Sequence, residues 1–163
     1  MQVIRDGSRG TFDLEEFLLR PLFAHLATAS ERGPRESPVW FLWEEGALWI
    51  IGDSGDTFPR RVESDSRCAV GIVDFDPTTG LVQHAGFRGR ATLESFDRNR
   101  VKRLFSRYLG GDEAGWDDAF QEALDDPSLV FLRFEPETVV VRDQSYRVTA
   151  PPTPSDGERQ HTK

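Results

Sequence analysis

Residues 57–61 place a hydroxyl group and two guanidinium groups within one turn of chain. Thr57 can begin a helix, Pro59 is tolerated in its first turn, and Arg60 and Arg61 follow directly. The backbone N–H groups at a helix N-terminus attract anions, and arginine binds phosphate oxygens in pairs. The spacing therefore indicates a phosphate clamp, and a solvated charged loop is the alternative that the same residues allow.

A second candidate is the strand-like run Ser37-Pro38-Val39-Trp40-Phe41. Proline inside a strand removes a hydrogen-bond donor, so Pro38 indicates a sheet edge, a bulge or a place where a ligand replaces a neighbouring strand. Trp40, Trp43 and Trp49 add aromatic surface to the same hairpin. A plain aromatic core hairpin is the alternative. A flat aromatic ligand that carries a phosphate would explain both segments together.

Other kinds of reactive site find little support in the residues. The three histidines are far apart, and no HExxH or CxxC spacing occurs, which argues against a zinc site. Cys68 opens an apolar strand, so we expect a buried thiol rather than a nucleophile. The sequence contains neither a G-x-S-x-G elbow nor a dinucleotide glycine fingerprint before a helix. If the protein is an enzyme, a cofactor is therefore expected to supply the chemistry.

The composition predicts one acidic domain. The chain of 163 residues is long enough for a single core, and its one cysteine allows no internal disulfide. A net charge of -8 argues against a nucleic-acid partner, because binding phosphate backbones needs a basic surface. No apolar run approaches the roughly 20 residues that span a bilayer, and residues 1–6 lack a signal-peptide pattern. We therefore expect no membrane partner and a cytoplasmic location.

The elements that must position these residues are mainly β-strands. Asp13 can cap a short helix over 14–20 that Pro21 ends. Apolar and β-branched runs predict about seven strands, at 22–30, 34–43, 47–51, 68–75, 81–93, 129–134 and 138–142. Helical periodicity predicts two helices inserted between the strands at 81–93 and 129–134. Short strands with tight hairpins and no alternating β-α-β units favour an antiparallel barrel.

The expected domain organisation has three parts. Residues 1–11 form an N-terminal segment and residues 12–146 form the barrel domain. Residues 147–163 are expected to be a disordered tail, because their prolines and polar side chains cannot bury apolar surface.

Five short motifs occur in an order that resembles one known family. Residues 33–41 are similar to the second strand of the pyridoxamine 5'-phosphate oxidase-like, FMN-binding split-barrel proteins. Further similarities are the strand entry at 65–70, the "G-R-A-x-L" strand at 89–93, the "R-Y-L-G" helix end at 107–110 and the proline link at 134–137. The resemblance covers residues 12–143.

This resemblance implies a homodimeric antiparallel split β-barrel with a cofactor at each of two subunit interfaces. Backbone groups of Val39 and Trp40 would meet the polar edge of the isoalloxazine ring. The resemblance implies that Ser37, Pro38, Val39 and Trp40 lie along the ring and that Ile51 and Gly52 line the neighbouring strand. It implies that Thr57, Arg60 and Arg61 hold the phosphate. Gln83 would reach the ring or the ribityl chain, and Trp116 would come from the partner subunit.

Two departures from the family pattern bear on function. Phe58 stands where the family's phosphate turn usually has lysine or arginine, so Arg60 or Arg61 would have to replace it. The C-terminal "R-L-x-P" substrate signature is absent, since residues 146–149 are Y-R-V-T. Vitamin B6 oxidation is therefore not expected.

The implied function is that of an FMN-dependent oxidoreductase acting on a small substrate. Two alternatives stay open: a deazaflavin-dependent reductase that uses the same groove, and a non-catalytic protein that binds flavin or haem. In each case the protein would orient the cofactor, tune its potential and exclude water, while the cofactor supplies the reactive group.

Overall fold

The structure, a computed structural model, describes residues 1–5, 11–55 and 57–149. Their strands are β1 (Gln2–Arg5), β2 (Ala24–Thr28), β3 (Arg35–Val39), β4 (Leu42–Glu44), β5 (Ala47–Asp53), β6 (Arg67–Asp76), β7 (Leu81–Glu94) and β8 (Leu129–Asp143). Their helices are α1 (Leu14–Leu18), α2 (Thr57–Ser64), α3 (Arg98–Leu109) and α4 (Asp118–Ala123), with a 3-10 turn at Glu113–Gly115. As the sequence predicts, strands dominate, and α3 and α4 are inserted between β7 and β8.

The eight strands of the described chain form one sheet in the order β3-β2-β6-β7-β8-β5-β4, with β1 paired to β8. Pairs along this path are antiparallel, whereas β1 runs parallel to β8. The two ends of the path, β3 and β4, are consecutive strands separated only by Trp40 and Phe41. The sheet therefore curls into a half-barrel, which confirms the predicted antiparallel split barrel with one strand more than expected.

Local sequence explains where several elements begin and turn. The Asp13 carboxylate accepts a hydrogen bond from the Glu16 backbone N–H at 2.9 Å, so Asp13 caps α1 as predicted. Between β4 and β5, Glu45 and Gly46 have φ values of 56° and 72°, as a type I′ hairpin turn requires. Pro38 lies in β3, an edge strand, where a missing N–H is tolerated.

Two apolar clusters hold the sheet and the helices together. The cluster inside the half-barrel includes Phe17, Leu26, Leu48, Phe87 and Phe134. The cluster between α3 and the outer face of the sheet includes Trp49, Val101, Leu104, Phe105 and Phe131. Because successive residues of β5 belong to different clusters, this strand is buried on both faces. Burial on both faces explains why its sequence is a continuous apolar run.

The strand predicted over 34–43 is interrupted, because the Phe41 backbone bonds to a side chain instead of a neighbouring strand. The Phe41 N–H donates to the Tyr108 hydroxyl at 3.1 Å, and that hydroxyl can donate to the Leu22 carbonyl at 2.8 Å or the Phe41 carbonyl at 3.3 Å. Burial raises the pKa of Tyr108, which keeps the hydroxyl protonated. Helix α3 therefore fixes the point where β3 ends and β4 begins.

The two final strands predicted on either side of Pro136 are one continuous strand, β8. The pairing register between β7 and β8 shifts between Arg88 and Gly89, and Pro136 pairs with Gly89 at this bulge. A Cβ at position 89 would lie 2.9 Å from the Glu135 carbonyl carbon, so only glycine allows this close approach. The bulge thus accommodates Pro136 within β8, whereas the sequence pattern predicts that the strand ends there.

Three further boundaries differ from prediction. The N-terminal segment predicted over 1–11 contains β1, whose four side chains are all exposed and so show no apolar alternation. Helix α1 ends at Leu18, before the predicted end, whereas α2 continues to Ser64, beyond the single turn predicted. From residue 150 onward, the predicted disordered tail lies outside the described residues.

Replacing Tyr108 with phenylalanine would leave the Phe41 N–H without its acceptor. We expect the free energy of unfolding to fall by about 1–3 kcal/mol, the cost of an unsatisfied buried polar group, in a urea denaturation experiment. Tyr146, the other tyrosine, is 47% exposed and provides the control. Tyr146→Phe should change stability by less than about 0.5 kcal/mol, and equal losses in both variants would contradict the role given to Tyr108.

Candidate functional site

An apolar groove of about 550 Å³ opens where β3 and β5 end beside α2 and α4. Its volume lies within the roughly 300–1,000 Å³ that small-molecule sites occupy. The residues that line it include Pro38, Val39, Trp40, Ile51, Gly52 and Phe58. The first five are residues that the family resemblance assigns to the cofactor ring, and the fold brings them from two separate strands to one cavity. We call this cavity the apolar groove.

Two aromatic side chains stack on the ring of Trp40, which lines the groove. The Tyr108 ring stacks on one face at 4.6 Å between centroids, with 3° between the planes. Phe120 of α4 stacks at 5.5 Å and 16°. This stack of aromatic rings anchors α3 and α4 as one wall of the groove.

The edge of β3 offers backbone hydrogen-bonding groups beside the groove. Among the described residues β3 has a strand partner on one side only, where Pro38 pairs with His25 and Val39 pairs with Ala24 of β2. The backbone groups on the other side of an edge strand are free to pair with a ligand. An edge at this position agrees with the expectation that backbone groups near Val39 meet the polar rim of a flat molecule.

Gly52 and Phe58 form the floor of the groove through a close contact. A Cβ added at Gly52 would lie 2.9 Å from the Phe58 Cε2 atom and nearer still to the ring's tip. Phe58 is 8% exposed and also belongs to the cluster inside the half-barrel. Phe58 therefore gives the floor an aromatic surface at the position where the family usually has a cation.

A second cavity of about 530 Å³ lies at the other side of α2. Its lining includes the three residues predicted as a phosphate clamp, Thr57, Arg60 and Arg61. Arg32 and Arg35, from the hairpin between β2 and β3, also line it. We call this cavity the arginine pocket. Two separate elements thus contribute guanidinium groups to one site.

Both arginines of α2 donate a hydrogen bond to a neutral oxygen atom. The Nε of Arg61 donates to the Thr28 hydroxyl at 2.7 Å, and Thr28 is only 2% exposed. Arg60 donates to the Gly55 carbonyl. Because the Thr28 hydroxyl orients the Arg61 side chain without cancelling its charge, Arg61 remains able to attract an anion.

The apolar groove and the arginine pocket lie on either side of the first turn of α2. Thr57 lines the arginine pocket, and Phe58, the next residue, lines the apolar groove. The start of α2 therefore contributes to both cavities and links the two sequence motifs.

Three predicted site residues are placed elsewhere. Ser37 lies in β3 but does not line the groove. Gln83 takes part in a polar cluster, accepting from Arg20 at 3.0 Å and donating to Asp143 at 3.3 Å. Trp116 is 6% exposed and donates its indole N–H to the Gly110 carbonyl of its own chain at 2.9 Å. The side chain of Trp116 is thus packed within the described chain, so it is left out of the site proposed below.

Arg32 and Arg35 are site residues that the sequence pattern does not single out. They belong to a turn between two strands, where charged residues are ordinarily solvated. Their role depends on the pairing of β2 with β3, which brings the hairpin beside α2. No local signal in the sequence gives that proximity.

Other reactive groups of the described chain offer no competing site. Burial raises the pKa of Cys68 to about 11, so the thiol is neutral at ordinary pH, in agreement with the buried thiol expected. Within residues 1–5, 11–55 and 57–149 there is no group of three histidine, cysteine or acidic residues suited to a metal ion. The two cavities at α2 are therefore the leading candidate site.

Residues 12–143 match the family model described as pyridoxamine 5'-phosphate oxidase. The chain belongs to this family. The matched range agrees with the resemblance that the five sequence motifs indicate. A search among curated proteins finds no match.

Solved structures with the same fold come from proteins of different kinds. A conserved hypothetical protein, Rv2991, from Mycobacterium tuberculosis has a TM-score of 0.68 at 16% identity, over 83% of this chain and 88% of that one. An F420 reductase has a TM-score of 0.61 at 21% identity, over 80% and 98%. HutZ, the heme storage protein from Vibrio cholerae, has a TM-score of 0.62 at 15% identity, over 81% and 93%. These likenesses show the shared fold of the pyridoxamine 5'-phosphate oxidase family.

None of the described helices of this family member is long and apolar enough to cross a bilayer. The cytoplasmic location expected from the sequence stays a prediction.

Gly52→Ala tests the floor of the groove. Its Cβ would displace the Phe58 ring, so we expect a loss of about 1–3 kcal/mol in the free energy of unfolding, measured by urea denaturation. Gly111→Ala is the control, since Gly111 has a φ outside the left-handed region and no atom within 4 Å of an added Cβ. Adding Phe58→Leu to Gly52→Ala should restore part of the loss, and no restoration would rule out the proposed contact.

Proposed function

We propose that this family member is a flavin-dependent oxidoreductase that binds FMN and acts on a small substrate. The observation that carries the proposal is that Thr57 and Phe58, consecutive residues at the start of α2, line the arginine pocket and the apolar groove respectively. FMN has the same two-part chemistry, because it joins a flat aromatic ring to a phosphate group. The ring would lie in the groove and the phosphate would lie in the pocket.

The residues of both cavities fit such a ligand. The groove supplies apolar side chains and the edge of β3, which suit the faces and the polar rim of the isoalloxazine ring. Arg60 and Arg61 supply guanidinium groups beside Thr57. The family usually has a cation at the position of Phe58. Arg60 and Arg61 replace that cation, since arginine binds phosphate with bidentate geometry.

The described groove residues orient and shield a cofactor rather than transfer protons. Asp53 is the carboxylate among the described groove residues, and it accepts hydrogen bonds from the Gly55 N–H at 2.6 Å and the Ser128 hydroxyl at 3.1 Å. These bonds give Asp53 a structural role at the start of the loop before α2. A bound flavin would supply hydride or electron transfer, and apolar walls such as Phe120 would exclude water.

The lining of the groove favours a flavin over haem. Among the described residues that line it there is no histidine, cysteine or methionine, so haem would lack its common protein ligands there. A deazaflavin has a ring and a phosphate similar to those of FMN, and it remains the second candidate. The absorption spectrum of the purified protein distinguishes these cofactors, since FMN, a deazaflavin and haem absorb at different wavelengths.

The double variant Arg60→Ala, Arg61→Ala tests the phosphate assignment. Removing two charge-assisted contacts should weaken FMN binding by at least about tenfold, while the weaker binding of riboflavin, which lacks the phosphate, should change little. Quenching of flavin fluorescence during titration measures both affinities.

The control removes two positive charges that line neither cavity. Arg98 and Lys102 lie on α3, where Arg98 pairs with Asp125 and Lys102 pairs with Glu113. Arg98→Ala, Lys102→Ala should leave FMN affinity within about twofold, because exposed ion pairs contribute little. Unchanged FMN affinity in the Arg60→Ala, Arg61→Ala variant would contradict the assignment of the FMN phosphate to the arginine pocket.

We also propose that the protein is a homodimer formed through the outer face of β6. Val73 and Phe75 of that strand are 44% and 58% exposed, and Phe23, which lines the groove, is 55% exposed. Gly71 and Gly86 are cross-strand neighbours on the same face of the sheet, where the His84 ring lies beside Gly86. Exposed large apolar side chains on one face of a sheet are typical of an interface. A second copy placed there would lie close to the groove.

Phe75→Glu is expected to shift the protein from dimer to monomer at micromolar concentration, because a charge would be buried in the interface. Sedimentation velocity measures the change. Thr92→Glu adds the same charge at an exposed position of β7 and should leave the dimer intact. A wild-type protein that is monomeric at all concentrations would contradict the proposal.

A further inference from the structure

The arginine pocket holds more positive charge than one phosphate group needs. Arg60 and Arg61 come from α2, whereas Arg32 and Arg35 come from the hairpin between β2 and β3. Glu31 is the one carboxylate among the described residues that line the pocket. Four guanidinium groups are thus gathered around one cavity in a chain whose net charge is -8. A local excess of this kind favours anionic ligands, because like charges repel one another and a bound anion reduces that repulsion.

Arg32 and Arg35 have no acidic partner among the described residues. Neither side chain forms an ion pair or a hydrogen bond within residues 1–5, 11–55 and 57–149. Arg67, which lines an adjoining cavity of about 420 Å³, pairs with Asp65 at 2.6 Å. The adjoining cavity therefore contains an arginine that is already neutralised, while the charge of the hairpin arginines is available to a ligand.

The size of the arginine pocket agrees with more than one anionic group. Its volume of about 530 Å³ equals that of many complete small-molecule sites, which occupy roughly 300–1,000 Å³. Arg61 is oriented by Thr28 on the α2 side, so the first turn of that helix already forms a clamp for one phosphate. The first phosphate does not need the hairpin side of the pocket, which has two guanidinium groups of its own.

We infer that Arg32 and Arg35 bind a second anionic group, a phosphate or a carboxylate, beside the phosphate held by Arg60 and Arg61. Two sources can provide this group: an anionic extension of the cofactor beyond its first phosphate, or a separate anionic substrate bound next to FMN. The inference rests on the proposed function where it names the cofactor. The charge and the volume of the pocket support the second anionic group independently of the flavin.

Inorganic anions test the second binding position without a flavin. We expect isothermal titration calorimetry to show that the wild-type protein binds pyrophosphate at least about tenfold more tightly than orthophosphate, because only pyrophosphate reaches both arginine pairs. Arg32→Ala, Arg35→Ala should abolish this preference, and Arg98→Ala, Lys102→Ala should keep it. Equal affinities in the wild type, or a preference retained in the hairpin variant, would overturn the inference.

Flavin titrations identify the source of the second group. If it belongs to the cofactor, Arg32→Ala, Arg35→Ala should weaken FAD binding by at least about tenfold and FMN binding by less than about threefold. If it is a separate ligand, the FMN-loaded wild type should bind orthophosphate and the hairpin variant should not. Equal losses for FMN and FAD, with no such orthophosphate binding, would overturn the inference, because the hairpin arginines would then serve the first phosphate.

Failure of the proposed function gives a different result. A protein that binds no flavin but still prefers pyrophosphate through Arg32 and Arg35 would refute the flavin proposal and leave the second anionic position standing. Circular dichroism spectra of all variants confirm that each is folded before its affinity is interpreted.

Discussion

The site depends on one hydroxyl group, that of Tyr108. By accepting from the Phe41 N–H it takes the place of a strand partner, so β3 stops at the groove and β4 starts in a new direction. The same side chain stacks on Trp40, which lines the groove. A single aromatic residue of α3 thus contacts both the break between β3 and β4 and one wall of the groove.

A neighbouring contact extends this control of backbone direction to the end of α1. Arg107, adjacent to Tyr108, donates to the Leu18 and Arg20 carbonyls at the end of α1, with its guanidinium 4.5 Å from the centre of the Phe41 ring. Burial lowers the pKa of Arg107, although arginine remains charged at physiological pH. Two consecutive residues of α3 therefore connect the helix to α1, β2 and the β3–β4 break.

Much of this architecture could be predicted from the sequence, because strand alternation, turn residues and helical periodicity are local signals. The cap at Asp13 and the edge position of Pro38 follow from single-residue chemistry. The interruption at Phe41 could not be predicted, since the partner of its N–H lies 67 residues away. β1 was hidden for another reason: its exposed side chains carry no apolar pattern, and its pairing with β8 depends only on backbone groups.

The candidate site divides in the same way. Thr57, Arg60 and Arg61 are close in sequence, so the chemistry they share is visible as a motif. Arg32 and Arg35 join them only through the pairing of β2 with β3. The net charge of the whole chain also conceals this pocket, because the chain's 28 acidic residues outnumber its 20 lysines and arginines. Charge averaged over a sequence describes its solubility better than its ligands.

The central position of β8 has a consequence for the order in which the chain can fold during synthesis. β8 pairs with β7, β5 and β1, yet it is the last of the described strands to leave the ribosome. Until residues 129–143 emerge, β5 and β7 each present an unpaired edge, and β1 has no partner at all. The sheet is therefore completed only when β8 inserts between β5 and β7. A nascent chain arrested before Leu129 would expose the unpaired backbone groups of β5 and β7, which are prone to aggregation, rather than form a smaller version of the fold.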